Sequence, residues 1–246
     1  LALYKRVRQK IVDPRAVEIE ELLSESYLHW NSFNFKAAAS KIRIVLDKCA
    51  QYHMKPHHAF THYLSVLELL STSDQQLRTS DDFQLHVIVD LYANALRKAE
   101  SGVFEDAISR LYRVLELISQ YRLRSYGIET HLVDLRPYAD RYRSLTKEIY
   151  GIEKDVPFEI GLKDGYLLLH LLDDYLLKGT SVQDLREMFG VIRARDMSII
   201  AHGLQLAGEK VFLNMNQLAR QFMQRVCQQQ GKDLAPLLEQ HTFVRL

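Results

Sequence analysis

The sequence contains little cysteine and no long apolar run. Only two of the 246 residues are cysteine. Cys49 and Cys227 alone supply neither a disulfide framework nor a paired-cysteine metal site, which is typical of a reducing compartment. The best candidate for a transmembrane span, residues 166–177, is interrupted by His170, Asp173 and Asp174. We therefore expect a cytoplasmic protein that does not span a membrane.

A charge excess of either sign is also missing. The chain has 32 Lys and Arg against 31 Asp and Glu, so any contact with nucleic acid must depend on a local basic patch. This balance argues against tight binding of duplex DNA. A modest basic excess lies between positions 193 and 225. This segment contains two acidic residues, Asp196 and Glu209, and five basic ones: Arg193, Arg195, Lys210, Arg220 and Arg225.

Several catalytic and metal-binding motifs are absent. The sequence has no glycine-rich nucleotide loop, no GxSxG elbow and no HExxH string. Four histidines cluster at positions 53, 57, 58 and 62, but only His58 and His62 share a helix face, and no cysteine pair or adjacent glutamate completes a zinc set. Asp173 and Asp174 diverge by about 100° on a helix, which favours a solvated face over a carboxylate pair. We predict no metal ligands and no cofactor.

Helical signals recur along the chain, and strand signals are nearly absent. Asp13-Pro14 marks a helix start, and Gly102 marks a turn between two further helices. A long irregular connection at residues 151–161 separates two helical regions. After it we expect a helix over 166–178, a short helix opened by the capping-box-like Ser181–Asp184, a separate helix over 192–207, and another over 209–230. The prediction is an all-α protein with a helical region at 1–150 and a second helical domain at 151–246.

One internal similarity lies within the first region. The segment FKAAASKI at 35–42 aligns with FEDAISRL at 104–111, and each follows a predicted turn. A small alanine after an aromatic residue lets neighbouring helices approach closely, as in TPR-like hairpins, although two copies are fewer than a repeat array needs. A chance match is the alternative. The chain also begins without methionine, so we expect it to be a fragment of a longer protein.

The segment RDMSIIAHG at 195–203 holds the most informative spacing. Seven residues separate Arg195 from His202, which places both side chains near one helical face. The permanent positive charge of arginine favours binding of a phosphate group, and histidine gains or loses a proton near neutral pH. Arg193 lies roughly 200° from Arg195 and contacts a phosphate or a partner chain instead. Ser198 either bonds substrate or, more in keeping with helical serines, its own backbone.

This segment resembles the R-polar-x(4–6)-H motif of HEPN ribonucleases. The longer string FEDAISRLYRVLELISQYRL at 104–123, together with RDMSIIAHG, resembles CRISPR-associated proteins that join a CARF sensor to a C-terminal HEPN nuclease, the ancillary ribonucleases of type III systems. The resemblance implies a HEPN-type bundle in the second region. It also implies a role in antiviral defence.

The resemblance further implies metal-independent cleavage of single-stranded RNA. Two HEPN domains would pair so that Arg195 and His202 of both copies line one site, which makes a homodimer the expected assembly. A cyclic oligoadenylate bound to a CARF domain, for which the first hundred residues show no alternating β/α pattern, would switch the nuclease. Asp196 departs from the family, which often has asparagine there, and its charge either repels the substrate phosphate or orients Arg195.

Arg110 and Arg113 are candidate RNA contacts within the longer string. Their spacing with Glu116 suits a salt-bridged helix face equally well. For the whole chain, the alternative to a nuclease is a non-catalytic helical module that dimerises or binds a partner. A further alternative is a HEPN protein that binds tRNA or a nucleotide without cleaving it.

Overall fold

The computed structural model describes residues 13–130, 136–196 and 208–244, with the backbone alone for residues 194–196. Within these residues every regular element is a helix, which confirms the predicted all-α fold. The α-helices are α1 (Pro14–Asn31), α2 (Phe35–Gln51), α3 (Ala59–Leu70), α4 (Gln75–Thr79), α5 (Asp81–Glu100), α6 (Phe104–Arg124), α7 (Ala139–Tyr150), α8 (Leu162–Leu171), α9 (Val182–Asp196), α10 (Glu209–Gln229) and α11 (Leu234–Glu239). Single 3₁₀ turns lie at Arg136–Tyr138 and Tyr175–Leu177.

The chain forms two compact units. The first unit consists of Leu1–Asp90 together with Ala235–Leu246, and the second unit is Leu91–Leu234. Helix α5 runs through the division between them. The boundary predicted at residue 150 falls inside the second unit, and the assignment of a TPR-like region to 1–150 and a HEPN-type domain to 151–246 stays a prediction.

A helical hairpin of α1 and α2 opens the first unit. The carboxylate of Asp13 accepts a hydrogen bond from the Arg15 backbone N–H at 3.0 Å, and Pro14 follows as the first helical residue, so α1 begins where the sequence predicts. Alanine at position 38 is fully buried in α2. The Ser26 hydroxyl of α1 donates to the Ala38 carbonyl at 3.0 Å, a contact that requires a small residue on the facing helix.

Aromatic residues fill the core of the first unit. Trp30 and Tyr63 are fully buried, with ring centroids 5.3 Å apart in an edge-to-face arrangement. Phe243, from the end of the chain, stacks on Tyr27 at 4.0 Å, and the Val244 backbone N–H donates to the Tyr63 hydroxyl at 3.0 Å. The C-terminal segment, residues 235–244, is therefore part of this core.

Helix α6 lies at the centre of the second unit and packs against α8, α9 and α10. Its aliphatic residues facing the core, from Ala107 to Leu123, are fully buried, and Tyr166 of α8 donates its hydroxyl proton to the Leu115 carbonyl of α6 at 3.0 Å. Gly165 permits this close approach, because a β-carbon at that position would lie 2.9 Å from the Ser119 hydroxyl oxygen. The string that carries the family resemblance is thus the central helix of its unit.

Helix α9 differs from the sequence expectation. The Ser181 capping box is confirmed: its backbone N–H donates to the Asp184 carboxylate at 2.7 Å, and its hydroxyl accepts from the Asp184 N–H at 3.2 Å. The two helices predicted after Ser181 are, however, one continuous helix up to Asp196. Gly190 lies inside it and costs about 1 kcal/mol relative to alanine. Burial of Phe189 and Ile192 beside this glycine outweighs that cost.

Candidate functional site

Helix α9 is anchored to α7 before it reaches the predicted motif. The Arg186 guanidinium donates to the carbonyl oxygens of Glu148 and Ile149 at the end of α7. The Phe189 ring lies 6.2 Å from the Tyr150 ring and nearly parallel to it. These contacts, with Ile192 fully buried, fix the direction in which the helix enters its last turn.

Arg195 and Asp196 are the last two described positions of α9. The structure describes only the backbone of these two residues. Ser198 and His202 lie outside the described residues. A helical backbone at Arg195 agrees with the geometry that the motif needs. The common face of Arg195 and His202 stays a prediction.

The helical register of α9 places Arg195 in line with a groove. Positions 184, 188, 191 and 195 are separated by four, three and four residues, which keeps them within about 60° of one another around the helix. The first three of these residues line a cavity between α9 and α10. The stripe that faces the cavity therefore continues, one turn further, to the position of Arg195.

This cavity, the α9–α10 groove, has a volume of about 350 Å³. Its lining combines an apolar floor with a polar rim. The apolar members are Leu177, Met188, Val191, Leu218 and Phe222, and the polar members are Thr180, Asp184, Glu187, Asn214, Gln217, Gln221 and Arg225. Sequence reasoning missed the rim, although the spacing of Asn214, Gln217 and Gln221 at three and four residues is the helical signal that marks it.

The charged groups of the groove are already engaged. Hydrogen bonds from Ser181 lower the pKa of the Asp184 carboxyl, and Glu187 accepts a hydrogen bond from the Gln183 amide at 3.2 Å. The Arg225 guanidinium donates to the Leu176 carbonyl. Two carboxylates against one guanidinium leave the groove with an excess of hydrogen-bond acceptors and a net negative charge.

The predicted RNA-binding arginines lie on two helices, α6 and α9. The Arg110 side chain is half-buried, with Nε 2.5 Å from the Asn94 Oδ1 and Nη1 3.0 Å from the Asp106 carbonyl. Arg113 pairs with Glu116 on the same helix, as the salt-bridge alternative predicts. Arg193 is exposed on α9. RNA binding by these three arginines stays a prediction.

Asp174 corrects one sequence interpretation. Asp173 is exposed as expected, but the Asp174 side chain is completely buried. Its Oδ2 accepts from the Arg122 guanidinium at 2.7 Å and from the Tyr126 hydroxyl at 2.9 Å, and its Oδ1 accepts from the Leu176 N–H at 2.9 Å. The pair is not solvated because Asp173 adopts a positive φ of 53°, which ends α8 and turns the next carboxylate inward.

No group of three or more His, Cys, Asp or Glu side chains in the described part of the chain is arranged to hold a metal ion. Among the helices described, none has an apolar stretch long enough to cross a bilayer.

Comparison with known proteins places the chain in a family. A model described as the Csm6 HEPN domain matches residues 76–226, a segment that contains α6, α9, the groove and positions 195–202. The CRISPR system endoribonuclease Csm6 of Thermus thermophilus is 27% identical over an alignment of 221 positions, which covers 85% of this chain and 47% of that protein. The chain spans about half the length of this curated relative.

The all-helical fold and the matched segment define a CRISPR-associated HEPN protein, which confirms the resemblance that the sequence suggests. Because the family model covers more than half of the chain, the chain belongs to the Csm6 HEPN domain family. The matched residues extend on both sides of the boundary predicted at residue 150.

Proposed function

We propose that this chain is an endoribonuclease that cleaves single-stranded RNA without a metal ion. The observation that carries the proposal is the position of Arg195 on α9, in register with the stripe that lines the α9–α10 groove, within a segment that matches the Csm6 HEPN domain. The name of the Thermus relative, an endoribonuclease, supports the same activity.

The chemistry assigned to the motif is acid–base catalysis. His202 takes the proton of the 2′-hydroxyl or protonates the leaving 5′-oxygen, and Arg195 stabilises the charge that grows on the phosphorane oxygens. The 2′-oxygen attacks the phosphorus and the bond to the 5′-oxygen breaks, which yields a 2′,3′-cyclic phosphate and a 5′-hydroxyl. DNA lacks the nucleophile and is not a substrate. Asp196 orients Arg195 or repels the phosphate, and Ser198 bonds either the substrate or the backbone of its own helix.

The proposed assembly is a homodimer in which the motif helices of two copies meet. Arg193, Arg110 and Arg113 supply further contacts to RNA. In the cell the activity serves CRISPR-linked antiviral defence, and a cyclic oligoadenylate bound to a CARF domain outside these 246 residues regulates it.

The test is a gel assay with fluorescent single-stranded RNA, its DNA copy and the His202→Ala variant. The proposal expects cleavage of RNA alone, a cyclic-phosphate end on the product, and loss of cleavage in the variant. If the RNA binds but stays intact, the chain is a binding module. If it neither binds nor is cleaved while the protein is dimeric, the non-catalytic helical module is correct.

A further inference from the structure

We infer that the α9–α10 groove is a nucleobase subsite that selects bases carrying an exocyclic amino group over uracil. This inference rests on the proposed function, because it assigns the substrate recognition of that same site. All twelve lining residues lie in the described part of the second unit.

The size and floor of the groove suit the flat face of a base. A volume of about 350 Å³ is within the range of small-ligand pockets. Val191 and Leu218 are half-buried above the buried Met188 and Phe222, so the floor offers apolar surface against which a base can pack. RNA-binding proteins read single strands in this way, with an unstacked base held against apolar or aromatic side chains.

The charge of the groove excludes a phosphate as the occupant. Asp184 and Glu187 carry two negative charges, and the cation among the lining residues, Arg225, already donates to a backbone carbonyl. A phosphate there would meet net repulsion, whereas a neutral base would not. The phosphodiester is thus directed to the Arg195 end of the groove and the base to the acidic end.

The polar rim also determines which bases fit. Carboxylates only accept hydrogen bonds, and the amides of Gln217 and Gln221 both donate and accept. Adenine, cytosine and guanine present amino groups that match such acceptors, and uracil has none. Gln217 and Gln221 lie one helical turn apart on α10, so both amides can reach the edge of a base in the groove.

The distance to the motif fits a neighbouring nucleotide. Val191 is four residues before Arg195, which corresponds to about 6 Å along the helix axis. Met188 is seven residues before it, or about 10 Å. A base over these two residues therefore belongs to a nucleotide next to the scissile phosphate.

The experiment compares Gln221→Leu and Glu187→Gln with Gln224→Leu, a matched change of an exposed glutamine of α10 that does not line the groove. Substrates are single-stranded RNAs that differ only in the base on either side of the cleaved bond, and the readout is the ratio of kcat/KM between an amino-bearing base and uracil. We expect the two groove variants to reduce this ratio about tenfold and Gln224→Leu to leave it unchanged. Thermal unfolding confirms that the exposed substitutions leave the fold intact.

A second readout does not depend on cleavage. Fluorescence anisotropy measures binding of 2′-O-methyl A, C and U homopolymers, which have no free 2′-hydroxyl. Weaker binding of A and C by the groove variants, with no cleavage of unmodified RNA by any protein, supports the subsite and removes the proposed nuclease. Unchanged base preference in both readouts overturns the subsite, and a groove variant that becomes monomeric in light scattering shows that a second copy of the chain occupies the groove.

Discussion

The His241 Nδ1 atom lies 3.1 Å from the Asp90 Oδ1 atom in the core of the first unit, and both side chains are almost completely buried. The same carboxylate oxygen accepts from the Trp30 indole N–H at 2.6 Å. Because an ionised carboxylate only accepts, His241 donates from Nδ1, and its Nε2 faces the His86 Nδ1 at 3.0 Å.

Replacing His241 with alanine is expected to lower the free energy of unfolding by about 2–4 kcal/mol, because Asp90 and His86 each lose a buried hydrogen-bond partner. Urea unfolding followed by tryptophan fluorescence measures the change. Glu239→Ala, an exposed position in the same segment, is the control and should change stability by less than about 0.5 kcal/mol. A double-mutant cycle with Asp90→Asn should show a coupling energy, and additive effects would mean that the two residues stabilise the core independently.

Asp174→Asn is expected to destabilise the protein by about 3–5 kcal/mol, because it leaves the Arg122 guanidinium without its buried counter-charge. Asp173→Asn is a closely matched control, since the neighbouring carboxylate is exposed. Thermal and urea unfolding of both variants provide the comparison. Equal stability of the two variants would mean that the Arg122–Asp174 pair makes no net contribution to the free energy of unfolding.

Both cysteines are expected to react slowly with Ellman's reagent in the folded protein. Burial raises the pKa of Cys227 to about 11 from its ordinary 9.0, and it also raises the pKa of Cys49. At pH 8 the thiolate fraction of Cys227 falls about a hundredfold, and the thiolate is the reactive form. Stability is unaffected by Cys227 below pH 9 and decreases as the pH rises from about 9 to about 11, because the unfolded chain ionises first. Rapid native-state labelling, assigned with Cys227→Ser and Cys49→Ser, would contradict the burial.

His202→Ala and Arg195→Ala should each reduce RNA cleavage about a hundredfold or more without unfolding the protein, since the two residues transfer a proton and stabilise charge. Asp196→Asn separates two roles of the carboxylate. Higher activity means that Asp196 repels the substrate phosphate, and equal or lower activity means that it orients Arg195. Circular dichroism checks the fold. Parent-like cleavage by all three variants would place the catalytic site elsewhere.

Cleavage is expected to survive excess EDTA, because the acid–base mechanism assigned to His202 needs no metal. The rate of RNA cleavage is compared before and after chelation. Activity that disappears in EDTA and returns with Mg²⁺ or Mn²⁺ would exclude the mechanism proposed for His202.

Local sequence signals account for much of the helical framework. Asp13-Pro14 and the Ser181 capping box mark helix starts because each supplies a hydrogen bond to the first turn, and these bonds are present. The break expected between Ser181 and Arg195 is absent, since packing of Phe189 and Ile192 overrides the low helix propensity of Gly190. Helix propensity is a local property of each residue and does not include the free energy of tertiary packing.

Long-range pairing was the part that the sequence could not predict. Asp174 is buried by an arginine 52 residues away, and no local pattern identifies such a partner. The groove rim follows a helical spacing on α10, but its opposite wall comes from α9, so neither helix alone marks a pocket.

The first unit is assembled from two separate stretches, residues 1–90 and 235–246, so the ribosome makes its two parts at different times. Tyr27 and Val244, which share a hydrogen bond, are 217 positions apart, so the whole second unit is translated between them. A nascent chain thus exposes the aromatic surface around Trp30 and Tyr63 until residues 235–244 emerge, and such transient surfaces are prone to aggregate and bind chaperones. A nonsense codon anywhere in the second unit would leave that surface permanently uncovered, even though every residue of α1, α2 and α3 had been made.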